Sequence, residues 1–278
     1  KQKNHFYIRK RIWKYCTKIY WNQESNDEEL DINITLILKF IIMKKYLFFV
    51  FICLSTNAQI KNIIVEYGVV IGEEEKISDK NSGLSEYYKS AMDNAKHLSF
   101  TLMYANKLSF FTGKEEMNDD THGIAFAKAF SGFIGPIYCD YNENCSYASF
   151  DNRITGKYCQ KSPLKKYDWQ LTTETKTIEG FLCYKATAKD IVVNPKGTFT
   201  FTITAWYCPQ IPIAIGPLSL NGLPGLILET ERRNVVFGAR KIIINAKIDP
   251  EIPKPDMSNI KTEEQVQKMR DDFMNQQD

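Results

Sequence analysis

Thr198-Phe199-Thr200-Phe201-Thr202-Ile203-Thr204-Ala205-Trp206-Tyr207 is the stretch on which the fold turns. The threonines and Trp206 fall on one face; Phe199, Phe201, Ile203, Ala205 and Tyr207 fall on the other. That is the period of two expected of a strand with one buried side. Upstream, Tyr184, Ala186 and Ala188 alternate in the same way with Cys183, Lys185, Thr187 and Lys189. Asn194-Pro195-Lys196-Gly197 separates the two segments. A two-residue turn there sets Ala186 against Ala205, Thr187 against Thr204 and Ala188 against Ile203. The same tetrapeptide also suits a type I turn with a glycine bulge, which slips the register by one and sets Ile203 against Lys189. The two-face pattern selects the first register. Cys183 then lies opposite Cys208 on the more polar face, at a position where strand Cα atoms approach to about 4.5 Å, within reach of a disulfide.

Further strand-like runs flank this hairpin: Asn62–Ile71, Leu98–Tyr104, Leu108–Phe111, Ile137–Tyr141, Ser146–Phe150, Tyr167–Lys176, Leu226–Thr230 and Val235–Ile248. Leu84, Tyr87, Tyr88, Ala91, Ala95 and Leu98 recur at helical spacing, with Ser82 in an N-cap position. Residues 113–136 are broken by glycines, with room for a helical turn or two over Ala125–Phe130. Thr262-Glu263-Glu264-Gln265 is a capping box that opens a helix over about 262–276, with Val266, Met269, Phe273 and Met274 on one face. The fold class expected is α+β, mostly β: a curved antiparallel sheet with one or two flanking helices, forming one domain over 59–278.

Composition narrows the partners. The chain has 278 residues, 44% apolar and 25% charged, with a formal net charge of +3 and no sustained basic stripe, which argues against a nucleic-acid partner. The first methionine is Met43. Lys44 and Lys45 follow it, then the apolar run Tyr46–Leu54, then Ser55-Thr56-Asn57-Ala58. This is the order of a cleaved secretory signal over 43–58, with Gln59 as the mature N-terminus. The apolar run is too short for a spanning helix, which needs roughly twenty residues. Residues 1–42 read as translated sequence upstream of the true start and are expected to make few contacts with the domain. Cys53 follows bulky residues rather than a lipobox, so the mature protein is expected to be periplasmic, envelope-associated or secreted.

Five cysteines remain beyond that signal: Cys139, Cys145, Cys159, Cys183 and Cys208. In an oxidising compartment they read as disulfide formers, and Cys139 and Cys145 are placed to staple one short loop. No pair is spaced Cys-x-x-Cys, and the mature part holds only His97 and His122, which disfavours zinc and thioredoxin-like chemistry. Neither histidine sits in a catalytic motif. Glu174 and Lys176 share a strand face and read as an exposed charged neighbourhood. Glu73-Glu74-Glu75 reads as a solvated turn. Glu115, Glu116, Asp119 and Asp120 lack the spacing of a calcium loop. No catalytic residue, cofactor or metal site is assigned.

Trp169, Glu174, Lys176, Gly180, Lys185-Ala186, Trp206, Pro212, Gly216-Pro217 and Gly222-Leu223-Pro224-Gly225-Leu226-Ile227 stand in an ordered array. In that array the chain resembles the GLPGLI family. The resemblance implies an exported envelope protein of Bacteroidota-type bacteria, often encoded near TonB-dependent outer-membrane receptors, with no established activity. Cys208 departs from the family pattern, which more often has a small hydroxyl residue there.

From Thr198 to Leu228 there is no charged residue, while proline and glycine punctuate Ile211, Ile213, Ile215, Leu218, Leu220 and Leu223. Such a segment cannot run as a regular central strand before about Leu226. It reads as an apolar loop crossing the sheet, with Leu223, Leu226 and Ile227 buried. It serves either as core or as the wall of a groove, and Leu218 and Leu220 would line that groove. Three functions follow: a binding or accessory protein of an outer-membrane receptor, a carrier of a lipid or other apolar ligand in a half-open sheet, and a hydrolase.

Overall fold

In a computed structural model describing residues 60–73, 83–114, 122–152, 156–194 and 197–275, the strand β1 (Asn62–Ile71) is the axis of the fold. Its Ile63, Val65, Tyr67 and Val69 are buried, and both its edges are paired. On one side lies β2 (Ser99–Ala105), and β3 (Leu108–Gly113), β4 (Ile137–Asp140), β5 (Cys145–Asn152) and β6 (Gly156–Pro163) continue the sheet beyond it. On the other side lies β11 (Val235–Ile244), followed by β10 (Leu226–Arg232), β9 (Gly197–Cys208), β8 (Phe181–Asn194) and β7 (Gln170–Ile178). A short β12 (Ile260–Thr262) adds to β6 in parallel and completes a sheet of 12 strands. The other pairings are antiparallel. The fold is α+β and mostly β, as the alternation patterns imply.

Local chemistry explains the hairpins. Asn106-Lys107, Glu179-Gly180 and Arg233-Asn234 all carry positive φ and each joins two strands through a two-residue connection. This is the mirror-image turn whose twist suits paired strands. Asn194 pairs with Gly197, and Ala186, Thr187 and Ala188 face Ala205, Thr204 and Ile203. The two-residue register therefore prevails over the bulged alternative.

Two helices pack together, α1 (Gly83–Asn94) and α2 (His122–Phe130). Tyr87 meets Phe126 at 4.6 Å between ring centroids, and Tyr88 meets Phe130 at 5.1 Å. Tyr88, Ala91 and Ala127 join the main core with Tyr67, Phe100, Phe111 and Phe237. Helix α3 (Glu263–Asn275) opens with the expected reciprocal cap. The Gln265 backbone N–H donates to Thr262 Oγ1 at 3.3 Å, and the Thr262 N–H donates to Gln265 Oε1 at 2.9 Å.

Two sequence expectations change, and two strands appear that the sequence did not announce. Strands β6 and β12 have no alternating signature: only Tyr158 and Cys159 of β6 are buried, so their place comes from neighbours rather than from their own pattern. Helix α2 extends to Phe130 from His122, longer than the turn or two read from Ala125–Phe130. The Cys139–Cys145 staple is also ruled out. Cys139 faces Ser146 while Cys145 faces Asp140, so the two thiols project from opposite faces of one hairpin. The signal and upstream segment over 1–59, Ser82, Glu74-Glu75 and residues 115–120 lie outside the described residues.

Candidate functional site

The loop between β9 and β10 does what its charge-free sequence requires. It leaves the sheet at Cys208, turns through a 3-10 segment at Pro217–Ser219 that packs against β3 and β4, and returns to β10 at Leu226. Its backbone is bonded onto the start of β10: the N–H of Leu226 donates to the Ile211 carbonyl at 2.9 Å, and that of Ile227 to the Ile215 carbonyl at 2.9 Å. From below, the Tyr67 hydroxyl donates to the Ile227 carbonyl at 2.6 Å. Leu223, Leu226 and Ile227 are buried. Leu220, Leu223 and Ile227 cover Ala186, Ile203, Ala205 and Tyr207, the apolar face read from the hairpin sequence.

A buried polar cluster fixes the far end of this loop. The side-chain amide of Asn221 donates to the Ser219 carbonyl at 2.8 Å, its Oδ1 accepts from the Tyr141 hydroxyl at 2.8 Å, and its carbonyl accepts from Trp169 Nε1 at 2.9 Å. Ser109 and Tyr141 share a further bond of 3.2 Å. Cys139 lies among these groups with its thiol pushed up to about 11 by burial, which leaves it a poor nucleophile. Asn221, Tyr141 and Ser109 escape sequence reading because they come from three separate segments.

Pinned in this way, the loop holds Leu218 and Ser219 in the left-handed region, with Leu218 at φ 55 and ψ 32. This conformation is costly for a leucine. Leu218 and Leu220 form one wall of a cleft of about 330 Å³. The floor is Thr230, Val235 and Phe237; the opposite wall is Tyr88 and the end of α2, Ala129 to Gly132. Tyr167, Arg232 and Arg233 stand at one end. Apolar walls with a few convergent polar groups characterise small-molecule sites. A second depression of about 300 Å³ beside β5 and β6 is lined by Asp151, Lys157 and Asp256 together with Tyr158 and Phe150, and Lys157 and Asp151 there form an exposed ion pair.

The polar end of the cleft is organised around Asp190. This buried carboxylate accepts from Arg232 Nε at 2.8 Å and again from Arg232 Nη2. Arg233 Nη2 lies 3.7 Å from the same oxygen, and its guanidinium rests over the Phe201 ring at 4.0 Å. Burial raises the Tyr167 hydroxyl, with Arg232 opposing, so at neutral pH it stays a neutral donor.

The motif residues divide between this loop and the opposite sheet face. Glu174 pairs with Lys185 at 3.0 Å, while Lys176 pairs with Glu229 and lies over the Trp206 ring at 4.4 Å. Glu174 and Lys176 are thus partnered across strands rather than with each other. Gly180 supplies its turn at φ 81 and Gly222 sits at φ 92. A Cβ on Gly216 would meet Ile227 at 2.8 Å, and one on Gly225 would meet the Cys208 carbonyl oxygen at 2.2 Å. Pro217 opens the 3-10 turn and is buried, whereas Pro212 and Pro224 are exposed. His97 and His122 are exposed and line no part of the cleft. Among the described residues no group of His, Cys, Asp and Glu is arranged to hold a metal ion.

Cys183 and Cys208 lie one step beyond the facing pair Tyr184 and Tyr207, and the Cys183 thiol donates to the Phe181 carbonyl at 3.6 Å. They are wholly buried in the main core rather than set on a polar face, because the loop and Leu226 close over that end. All five cysteines of the described residues are free thiols. The neighbouring Cys183 thiol, followed by the backbone N–H groups of Ile211 and Gln210, lowers Cys208, against the opposing effect of burial. The nearness of Cys208, with burial, raises Cys183.

Comparison with known families finds a match over residues 194–229 to a family described as "Protein of unknown function (Porph_ging)". The matched stretch contains the end of the β8–β9 hairpin, the crossing loop and the start of β10. No curated protein matches the chain. Among solved structures, two crystal forms of PNGF-II are similar at 15% identity, one with a TM-score of 0.46 and the other with 0.45. The alignments cover 75% of this chain but 33% and 32% of those chains, so the chain spans about a third of their length. This likeness is too distant to assign a function.

Proposed function

We propose that this chain is an exported binding protein of the cell envelope that holds an apolar ligand in the cleft beside the crossing loop. One observation carries the reading: Leu218, a half-buried leucine in left-handed backbone, is spent on the wall of a cleft with apolar sides. Strained backbone of this kind clusters at functional sites. The order of residues 43–58 supports export, and the resemblance to the GLPGLI family implies the envelope. An association with a TonB-dependent receptor rests on that resemblance alone. Within these terms the general reading as a binding protein narrows to a carrier, and the hydrolase reading gains no support from two exposed histidines.

Photolabelling tests the cleft. An alkyl diazirine should label peptides containing Phe130, Leu218 and Phe237. Label concentrated instead on the exposed Ile191, Val193 and Phe199 of the β8–β9 ribbon would overturn the assignment and favour protein docking at that ribbon.

Intact mass tests export and the thiol pair together. Protein released from the envelope without reduction should begin at Gln59 and weigh two hydrogens less than its fully reduced form, with Cys183 linked to Cys208. A chain retaining Met43 would refute the export reading. A link between any other two cysteines would refute the pairing.

A further inference from the structure

Among the described residues at the polar end of the cleft, the guanidinium groups of Arg232 and Arg233 share one carboxylate, that of Asp190. Asp190 is a single carboxylate facing two guanidinium groups. Arg232 takes it up through two donors, and Arg233 lies beyond hydrogen-bonding distance at 3.7 Å. Lys166 and Glu263, which also act on the Tyr167 hydroxyl, pair with each other at 3.5 Å. Arg233 is also fixed in place. It stands in the two-residue turn between β10 and β11, and its guanidinium is stacked on Phe201. Tyr167, whose hydroxyl feels the charge of Arg232, lines the same cleft. Low-dielectric walls concentrate the field of such a charge, and a guanidinium presents a planar fork suited to an acid group.

We propose that the occupant of this cleft is a single-chain amphiphile with one acidic head, its chain lying between Leu218, Phe130 and Phe237 and its head against Arg233 and Tyr167. This deepens the carrier reading and rests on it. Two guanidinium groups on one carboxylate suit an acidic head better than a zwitterion, whose cationic part would meet two arginines. The volume of about 330 Å³ lies near the lower end of ligand cavities, which suits one chain rather than two. A carboxylate and a phosphate monoester share the chemistry this end recognises.

Displacement of the neutral dye N-phenyl-1-naphthylamine by dodecan-1-ol, dodecanoate and dodecyl phosphate separates the possibilities. The two acids should bind about tenfold or more tighter than the alcohol, the scale of a hydrogen bond to a charged group, and the tighter acid names the head. In Arg233→Gln that preference should collapse while the affinity for the alcohol is retained, which also shows that the cleft is intact. Equal binding of acid and alcohol by the parent protein would overturn the acidic head and leave the apolar cleft standing. Failure of dye, alcohol and acids alike would overturn the carrier reading and this inference together.

Discussion

Gly225→Val should lower the unfolding free energy by about 3 kcal/mol, the upper part of the usual range for overpacking, measured by urea denaturation. The cause is backbone against backbone. A Cβ at residue 225 would stand 2.2 Å from the Cys208 carbonyl oxygen, 2.6 Å from its carbon and 3.0 Å from Pro209 N. None of these atoms can rotate away as a side chain would. Relief requires moving the loop off the end of β9, and with it the Leu226-to-Ile211 bond that seats β10. Gly222 offers the contrast. Its φ of 92 strains any side chain, yet a Cβ there meets nothing nearer than Trp169 Cδ1 at 3.9 Å, so Gly222→Ala should cost about 1 kcal/mol. A Gly225→Val protein as stable as the parent would contradict the structural role given to the hexapeptide.

Leu218→Asn should weaken dye binding about tenfold while leaving stability close to that of the parent. Asparagine adopts left-handed backbone more readily than leucine, so the substitution relieves strain as it removes a half-buried contact. The dye, by contrast, loses an apolar wall. Withdrawing a leucine side chain from an apolar contact costs about 1.5–3 kcal/mol when the burial is complete, and a tenfold loss corresponds to the lower end of that range. Leu220 is not equivalent, although sequence reading treats the two alike. It is buried against Leu223 and Ala186 as well as lining the cleft, so Leu220→Asp should destabilise the fold and would say little about binding. Unchanged dye affinity in Leu218→Asn would place the ligand elsewhere.

What could be read in advance was what repeats locally. The β8–β9 register followed from two alternating faces, and the burial of Leu223, Leu226 and Ile227 followed from a segment without charge. The capping box at Thr262 and Gln265 was equally plain. Contacts made by distant segments were not legible. Asp190 and Arg232 are 42 positions apart and meet only because β9 separates β8 from β10. Asn221 reads as a loop residue until Tyr141 and Trp169 arrive to bond it. Strand β6 lacks any alternation, and its pairing with β5 is set by neighbours. The thiols show both sides of this limit. Register placed Cys183 opposite Cys208, but nothing in the strand pattern indicated that the loop would bury them.

Titration of N-phenyl-1-naphthylamine into the parent protein and Leu218→Asn, followed by fluorescence, tests the central claim most directly. The account predicts one saturable site per chain, emission shifted as in an apolar environment, competition by aliphatic chains, and an affinity about tenfold weaker in the variant. Non-saturable binding, or identical titrations for the two folded proteins, would contradict it.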